Sequence, residues 1–345
     1  MDTVVRDNAG KLGDGISAYE YYRQQTPKPG ILLMTPTYVA EALKDRSFED
    51  DIVQFFDGGS NSALFPIKYN VGMSSHYAGS VAGALEWARK HWKGGVMKIG
   101  IMTWDTVMGR ALMDDQFRKW IASQEKMELV GEDVYKPTDV DVTTGVIRLK
   151  NKGANWIIDN SLGNGPVVTS KAINSLGLLS QDINDTSPGK IHRIVGPWGV
   201  SDDVVRLGGG SGGLMEGAIG VRYVASYQEK DNLGVKLVLD SARRNNRGPN
   251  ILNMVYIHKF AKLDIVCHVV GKVVDKYGWE GVNGKNIWKE ITSLKNYNAN
   301  NLAEITFRPD YPVINRAKVY MVQKGELIPV SSYIDLPDMT PGLRK

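Results

Sequence analysis

Three loops rich in hydroxyl and amide side chains could hold the polar group of a small ligand. Each follows a short apolar run, and together they are Thr35-Pro36-Thr37-Tyr38, Asp57-Gly58-Gly59-Ser60-Asn61-Ser62 and Asn160-Ser161-Leu162-Gly163-Asn164. Hydroxyls and backbone N–H groups at helix starts suit a carboxylate or an amide. Helix capping alone would also explain each loop, because Ser, Thr and Asn are favoured at helix starts in any protein. Their occurrence in both halves of the chain favours a polar cleft.

The sequence offers no recognisable catalytic or metal-ligating pattern. The histidines at 76, 91, 192, 258 and 268 form no HExxH motif, and no Gly-x-Ser-x-Gly elbow is present. Cys267 lies in an apolar helical run, which predicts a packed core residue. The glycine-rich run from 208 to 213 lacks the Gly-Lys-Ser/Thr of a phosphate loop, so we expect a plain loop. We therefore expect no metal and no cofactor, and an α/β enzyme is the least favoured hypothesis.

Short apolar runs alternate with helix-length amphipathic segments along the chain. The expected strands are 30–34, 52–56, 97–102, 156–158 and 191–195, and the expected helices include 77–91, 110–125, 167–176 and 256–277. This alternation predicts βαβ units and parallel sheets, so the fold class is α/β with doubly wound sheets. The tail from Lys318 to Ile334 contains two apolar runs joined by Lys324-Gly325, which predicts a β-hairpin.

Length and composition narrow the class of protein. A chain of 345 residues is longer than a single hydrophobic core usually supports, so we expect two domains of roughly 150 residues each. The net charge of +4 is not concentrated in a stripe or tail, so we expect no nucleic-acid partner. No apolar run approaches the ~20 residues of a membrane helix, so we expect no direct membrane insertion.

The chain resembles the solute-binding receptors of bacterial ABC importers, in the branched-chain amino-acid (leucine/isoleucine/valine-binding) group. The resemblance rests on the order and spacing of several segments from about Val5 to Pro337. These segments are Asp7-Asn8-Ala9-Gly10-Lys11 with Ala18-Tyr19-Glu20, Lys98-Ile99-Gly100-Ile101 with Asp105-Thr106-Val107-Met108-Gly109-Arg110, Tyr135 to Leu149, and Ile305-Thr306-Phe307 with Lys318-Val319-Tyr320.

The resemblance implies the type I periplasmic-binding-protein fold: two Rossmann-like α/β lobes joined by three crossovers, with a ligand cleft between them. We expect the first lobe to comprise residues 1–75 and 226–312, and the second lobe residues 76–225 and 313–345. The crossovers would lie near 71–82, near 223–228 and close to Asn315. The match begins at the family's second strand, so we expect the first lobe to lack its first strand. Met1 would then be an internal or misassigned start, or the chain a fragment.

The resemblance also implies a set of ligand-binding residues from both lobes. In amino-acid receptors of this group, first-lobe hydroxyls and N–H groups hold the ligand carboxylate, and a second-lobe acid pairs with its ammonium. The matching positions here are Thr37, Tyr38, Gly59, Ser60 and Asn61 in the first lobe and Met108, Leu162, Gly163, Asn164 and Trp198 in the second; Tyr256, at the start of the longest helical pattern, completes the predicted set.

Two of these positions depart from the family pattern. Met108 replaces an aromatic hydroxyl, and Trp198 replaces the acid that pairs with the ammonium. An ammonium that leaves water without a carboxylate partner is strongly penalised. We therefore expect a carboxylate or amide with an apolar or aromatic body rather than a free amino acid. Asp57 or Asp105 could supply a replacement acid for the ligand ammonium, so a free amino acid remains an alternative solute.

These implications favour a monomeric receptor, not an enzyme, that closes on a small solute by hinge motion. It would hand the solute to the membrane permease subunits of an ABC importer. In its native full-length form it would be periplasmic or at the cell surface, although Met1-Asp2-Thr3 starts no signal peptide. The alternative is a cytoplasmic amide or amino-acid sensor on the same bilobed fold.

Overall fold

The computed structural model of the chain describes residues 5–34 and 36–342. Within these residues the strands are β1 (Ile31–Met34), β2 (Val53–Phe56), β3 (Asn70–Ser75), β4 (Met97–Trp104), β5 (Met127–Tyr135), β6 (Trp156–Asp159), β7 (His192–Val195), β8 (Ile219–Arg222), β9 (Tyr297–Ala299), β10 (Ala303–Ile305), β11 (Val313–Ile314), β12 (Arg316–Gln323) and β13 (Glu326–Asp335).

The helices connect these strands and cover the sheets. They are α1 (Leu12–Arg23), α2 (Thr37–Ala42), α3 (Lys44–Glu49), α4 (Asn61–Leu64), α5 (Tyr77–His91), α6 (Val107–Arg110), α7 (Asp115–Ser123), α8 (Thr143–Asn151), α9 (Gly165–Ser175), α10 (Asp202–Leu207), α11 (Leu233–Arg244), α12 (Met254–Tyr277) and α13 (Gly284–Ile291). No helix in the described part of the chain combines the length and apolar character needed to cross a bilayer.

The strands form two main sheets, which confirms the predicted α/β fold of two lobes. The first sheet has the order β1-β2-β3-β11 and is parallel throughout. The second sheet has the order β13-β12-β8-β7-β6-β4-β5, and its five strands from β8 to β5 are parallel to their neighbours. β12 and β13 add an antiparallel edge, and β9 pairs with β10 in a separate ribbon.

The chain passes between the two sheets three times. It leaves the first sheet after β3, returns after β8 through residues 223–232, and leaves again at Asn315 between β11 and β12. These three crossings confirm the predicted crossovers. Strand pairing places Val313 and Ile314 beside β3 in the first sheet, whereas the predicted division assigned residue 313 onwards to the second lobe. We call the four-stranded sheet with α1–α4 and α11–α13 the first lobe, and the seven-stranded sheet with α5–α10 the second.

Continuous apolar runs produce the central strands. Every residue of β2 and of β7 is buried, as parallel strands covered on both faces require. The hairpin of β12 and β13 turns at Lys324 and Gly325, both of which have positive φ, as a two-residue type I′ turn demands. The predicted hairpin is therefore confirmed.

The longest helix, α12, confirms the predicted helix and positions part of the site described below. The Asn253 side chain accepts a hydrogen bond from the N–H of Tyr256 at its start, and Gly278 follows its last turn with φ of 70°. Its buried residues recur at helical spacing, and His258 and Lys262 are among them.

Three local expectations differ from the structure. Residues 5–8 form no strand, and Val4 lies outside the described residues. The predicted helix 110–125 is interrupted after α6 by a 3₁₀ turn, because Asp114 caps a new helix, α7, by accepting from the N–H of Gln116 at 2.7 Å. Cys267 is exposed, since it faces away from the core side of α12. The glycine run is a loop, as predicted, and the short helix α10 precedes it.

Candidate functional site

The loops at the carboxyl ends of the parallel strands meet where the two lobes face each other. Asp57 follows β2 in the first lobe, and Trp198 lies in the loop after β7 in the second. The Trp198 ring lies edge-on against the ring of His258 on α12, with centroids 5.3 Å apart. Since ligands of doubly wound sheets bind outside the carboxyl ends of the strands, this junction is the candidate site.

A buried ionic cluster forms the first-lobe wall of the junction. Asp57 Oδ1 accepts hydrogen bonds from His258 Nε2 at 2.9 Å and from Lys262 Nζ at 2.6 Å. Lys259 donates to the other oxygen, Oδ2. The side chains of Asp57 and Lys262 are 2% and 1% exposed, whereas that of Lys259 is 35% exposed. We call Asp57, His258, Lys259 and Lys262 the Asp57 cluster.

The charges in this cluster determine its protonation. Burial by itself would raise the pKa of Asp57, but the Lys262 ammonium, His258 and Lys259 outweigh it and hold that pKa well below its usual range. Burial lowers the pKa of the Lys262 ammonium to about 8, although Asp57 opposes the shift. Burial also lowers the pKa of His258, so its ring is neutral at pH 7. Asp57 is therefore ionised, and its carboxylate is paired with the ammonium groups of Lys259 and Lys262.

Two loops must approach closely for this arrangement to form. A Cβ at Gly58 would lie 2.3 Å from Thr37 Oγ1 and 2.8 Å from the Phe56 ring, so a larger residue would push the loop after β2 away from α2. Lys262 also donates to the carbonyl of Met34 at 3.0 Å, which fastens the centre of α12 to the end of β1. The glycine and the buried lysine therefore fix Asp57 relative to the helix.

Aromatic side chains join the two walls. The Tyr223 hydroxyl, at the second crossing, lies 3.2 Å from His258 Nδ1. The neutral His258 ring donates from Nε2 to Asp57, so its Nδ1 accepts a hydrogen bond from the Tyr223 hydroxyl. The Tyr77 hydroxyl shares a hydrogen bond of 3.0 Å with Thr37 Oγ1. Burial raises the pKa of Tyr77 to about 12, against hydrogen bonds from Thr37 and Trp198. Tyr77, the first residue of the second-lobe helix α5, thus contacts the first-lobe Thr37 directly.

Asn160 organises the second-lobe wall. Its side-chain amide donates to the carbonyl of Met108 at 2.6 Å, which ties the loop after β6 to α6. A Cβ at Gly196 would lie 2.0 Å from Asn160 Oδ1, so only glycine allows the loop after β7 to pass over this amide. Asn160 therefore draws together the segments that carry Met108 and Trp198.

A second buried acid, Asp159, ends β6 close to Asn160. It accepts from the Tyr135 hydroxyl at 2.7 Å and from Thr169 Oγ1 at 2.6 Å. Burial raises the pKa of Asp159 to about 6, although hydrogen bonds from Ser161, Thr169 and Tyr135 oppose the shift. Unlike Asp57, this carboxyl is surrounded by hydroxyls.

A short chain of hydrogen bonds crosses the edge of the junction. His76 Nδ1 accepts from the N–H of Gly79 at 3.3 Å, so Nε2–H donates to Asn61 Oδ1 at 3.0 Å. The Asn61 amide then donates to Asp114 Oδ2 in the second lobe at 3.2 Å. We call Asn61, His76 and Asp114 the edge latch, because it links the lobes directly.

The structure places the sequence-predicted residues in three settings. Thr37, Gly59, Ser60 and Trp198 are buried at the junction, and Asn61 and Met108 are half-buried beside it. Leu162, Gly163 and Asn164 form a largely exposed turn before α9. Tyr38 packs on the Tyr19–Val39 cluster, and Tyr256 packs edge-on against Phe260 at 5.4 Å.

Sequence reasoning missed several members of the site: Tyr77, Asn160 as an organising amide, Tyr223, Lys259 and Lys262. His258 and Lys262 lie four residues apart on the buried face of α12, which places both on one side of a helix. This pair of polar residues on an otherwise apolar helix face is the sequence pattern that could have indicated a buried polar site.

The arrangement provides groups that could bind a polar solute. Across residues 5–34 and 36–342, no three His, Cys, Asp or Glu side chains are grouped in a way that could hold a metal ion. The cations, hydroxyls and rings of the junction can bind and enclose the polar and apolar parts of a small molecule.

Comparisons with known proteins bear on the family and the fold of the chain. A family model described as periplasmic binding protein matches residues 1–326. A branched-chain amino acid ABC transporter structure from Thermus thermophilus with bound valine has a TM-score of 0.81 at 18% identity, covering 96% of this chain and 85% of that one. No curated protein sequence matches the chain.

Two further solved structures with the same fold are described with other ligands. A solute binding protein of an ABC transporter from Rhodopseudomonas palustris BisB5, in complex with 3,4-dihydroxybenzoic acid, has a TM-score of 0.75 at 16% identity and covers 99% and 88% of the two chains. A fatty acid ABC transporter substrate-binding protein from Thermomonospora curvata has a TM-score of 0.77 at 15% identity, with coverage of 99% and 83%. Identities this low show a shared fold.

Proposed function

The chain belongs to the periplasmic binding protein family, and we propose that it is an extracytoplasmic receptor that encloses a small carboxylate or amide with an apolar body. The proposed solute would lie between the loops that follow β1 and β2 and those that follow β4, β6 and β7. Hinge closure at the three crossings would bring the two walls together. The closed receptor would then deliver the solute to the permease subunits of an ABC importer.

The state of Asp57 is the observation that carries the choice of solute. A free amino acid needs an acid for its ammonium, because an unpaired ammonium is strongly penalised in a closed cleft. Asp57 is already bound by Lys262, His258 and Lys259. Its carboxylate is therefore occupied, which argues against a ligand ammonium at this wall.

The other candidate acid, Asp105, is occupied as well. It forms an ion pair of 2.5 Å with Arg110, and both side chains are substantially exposed. The position that carries the acid in amino-acid receptors is Trp198, whose ring can pack on an apolar or aromatic body. Met108, half-buried at the junction, adds a flexible apolar surface. These residues support a solute that lacks an ammonium group.

A thermal-melt panel tests the proposal. Branched and aromatic amino acids would be compared with the carboxylates that lack the amino group, and with short amides. A ligand at a hundredfold excess over its Kd stabilises a protein by about 2.7 kcal/mol, which raises Tm by several degrees. We expect larger shifts with the deaminated carboxylates or amides than with the amino acids.

Larger shifts with the amino acids would contradict the proposed solute class but would still support a receptor function. A shift with leucine or valine but not with their deaminated analogues would mean that an acid other than Asp57 or Asp105 pairs with the ammonium. No shift with any compound of the panel would overturn the proposed function.

A further inference from the structure

We infer that the segment after β13, residues 336–342, acts as a strap that restrains the separation of the two lobes. We call these residues the strap. The strap adds a further connection between the lobes to the three chain crossings. The inference concerns the motion of the chain without solute, so it does not depend on the solute class proposed above.

The strap begins on the second lobe. β13, the edge strand of the second sheet, ends at Asp335. The N–H of the next residue, Leu336, donates to the carbonyl of Asn315 at 2.8 Å, at the third crossing. Leu336 also packs on α5, because a Cβ at Gly83 of that helix would lie 2.7 Å from Leu336 Cδ2. The first residue of the strap is therefore fixed to the second lobe and to the crossing.

A second glycine of α5 lets the backbone of the strap come close. A Cβ at Gly79 would lie 2.8 Å from the carbonyl oxygen of Pro337. It would also lie 3.5 Å from His76 Cβ and 3.7 Å from the Tyr311 hydroxyl. Gly79 and Gly83 are four residues apart, so they lie on one face of α5. This face of the helix is the surface on which the strap rests.

The strap then reaches the first lobe. Asp338 Oδ2 accepts a hydrogen bond from Arg308 Nη2 at 2.8 Å. Arg308 precedes β11 of the first sheet, and its guanidinium lies 5.4 Å from the centre of the Tyr311 ring. Tyr311 belongs to a buried cluster that includes Phe56 and Val313 of the first sheet. The Asp338 carboxylate therefore attaches the strap to the lobe opposite α5.

An apolar anchor accompanies this ion pair. Met339 is fully buried, although Asp338 and Thr340 on either side of it are only half-buried. Asp338 Oδ1 accepts from the N–H of Thr340 at 2.9 Å and from its hydroxyl at 2.6 Å, which fixes the turn around Met339. Burial of an apolar side chain stabilises the position of the segment that carries it.

The two attachments resist the same motion as the edge latch. The His76 ring, part of that latch, stacks on the Tyr311 ring with centroids 6.2 Å apart. The strap therefore lies beside the latch, where the lobes face each other. Separation of the lobes at this edge would move α5 away from Arg308. The strap would then lose its ion pair or expose Met339, and both losses oppose opening.

The test measures the distance between the lobes by double electron–electron resonance on the full chain without solute. One spin label is placed on Cys267, the single cysteine of the sequence, which is exposed on α12 of the first lobe. The second label is placed on Lys150→Cys, at an exposed position of α8 in the second lobe. The two labels report on the separation of the lobes.

Two variants weaken the strap by different amounts. Asp338→Asn removes the negative charge that binds Arg308, so the ratio of long to short distances should rise about threefold, as a partly exposed ion pair contributes modestly. Met339→Ala removes most of the buried side chain and should raise the ratio about tenfold or more. Asp310→Asn is the matched control, because it removes the other carboxylate partner of Arg308, which is 78% exposed, and should leave the distances unchanged.

Circular dichroism of each variant distinguishes a change in lobe motion from a loss of fold. If Met339→Ala does not fold, the distances in Asp338→Asn decide alone, because this variant alters one partly exposed carboxylate. Unchanged distances in the folded strap variants would overturn the inference. Shorter distances would also overturn it, since the strap would then hold the lobes apart. An equal shift in Asp310→Asn would assign the effect to Arg308 itself and contradict the role of the strap.

Discussion

Two buried carboxyl groups, one in each lobe, occupy comparable positions and have opposite properties. Asp57 follows β2 in the first sheet, and Asp159 ends β6 in the second. Lys262, His258 and Lys259 hold the pKa of Asp57 well below its usual range. Burial raises the pKa of Asp159 to about 6, and the uncharged hydroxyls of Tyr135, Thr169 and Ser161 oppose this rise without outweighing it. Both acids are at most 5% exposed, so burial alone does not explain the difference.

The comparison shows that the two walls of the cleft have different electrostatic characters. The first-lobe wall contains fixed charges, namely the carboxylate of Asp57 and the ammonium groups of Lys259 and Lys262. The second-lobe wall contains hydroxyls, an amide and apolar side chains, and its buried acid has a pKa raised to about 6. The proposed solute, a small carboxylate or amide with an apolar body, has one part suited to each wall.

The largest expected effect comes from Asp57→Asn. Removal of the carboxylate leaves Lys262 buried without an opposite charge, and breaking a buried pair in this way costs about 3–5 kcal/mol of unfolding free energy. Urea denaturation followed by circular dichroism would measure it. A loss below about 1 kcal/mol would show that the lysines are not held by Asp57 and would remove the contrast with Asp159.

The second effect concerns pH and Asp159→Asn. Because the folded pKa of Asp159 is about 6, against the usual 3.8, the folded state binds the proton more tightly than the unfolded state. The stability from this carboxyl is therefore present below pH 4 and is lost as pH rises through 6. Two pKa units correspond to about 3 kcal/mol at most.

The measurement is the unfolding free energy of wild type and Asp159→Asn at pH 5 and at pH 7.5. The substitution should lower the unfolding free energy more at pH 5 than at pH 7.5. The reason is that only the wild type loses the stability from the protonated Asp159 as pH rises. An equal difference at both pH values would mean that Asp159 is ionised throughout, like Asp57.

The third prediction concerns the apolar wall. Trp198→Phe keeps a ring but removes the indole N–H group and part of the apolar surface, so affinity for a bound solute should fall about three- to tenfold. Trp279→Phe is the control, because Trp279 is 75% exposed. Calorimetry gives both affinities, and an unchanged affinity in Trp198→Phe would remove this residue from the site.

The smallest effect is expected at the edge latch. Asn61→Ala deletes the direct hydrogen bond to Asp114 and the acceptor for His76, so solute affinity should fall about threefold, through faster dissociation. Asn245→Ala, on the exposed surface, is the control. Stopped-flow dissociation would measure the change. An unaltered dissociation rate would mean that the latch does not stabilise closure.

The sequence predicts the elements of the fold well, because each depends on local pattern. The runs at 30–34 and 52–56 are apolar throughout, as buried parallel strands require, and Asn253 and Gly278 mark the two ends of α12. The residues at 5–8 resemble a family strand but form none, since a strand also needs a paired neighbour.

The site is less predictable, because its central contacts join residues far apart in the chain. Asp57 meets Lys262 across 205 positions, and a lysine within a helix usually predicts a solvated face. Tyr38 and Tyr256 remain predicted ligand-binding residues, and their ring contacts are with the Tyr19–Val39 cluster and with Phe260. The direction of a side chain depends on packing that one sequence does not reveal.

The central claim is that this chain binds a small carboxylate or amide between its lobes without converting it. The most direct test is a calorimetric titration of the purified chain with isovalerate, hexanoate, benzoate and their amides, followed by mass spectrometry of the released ligand. We predict saturation at one molecule per chain and recovery of the ligand intact. Chemical conversion of the ligand, or the absence of saturable binding by any of these compounds, would contradict the claim.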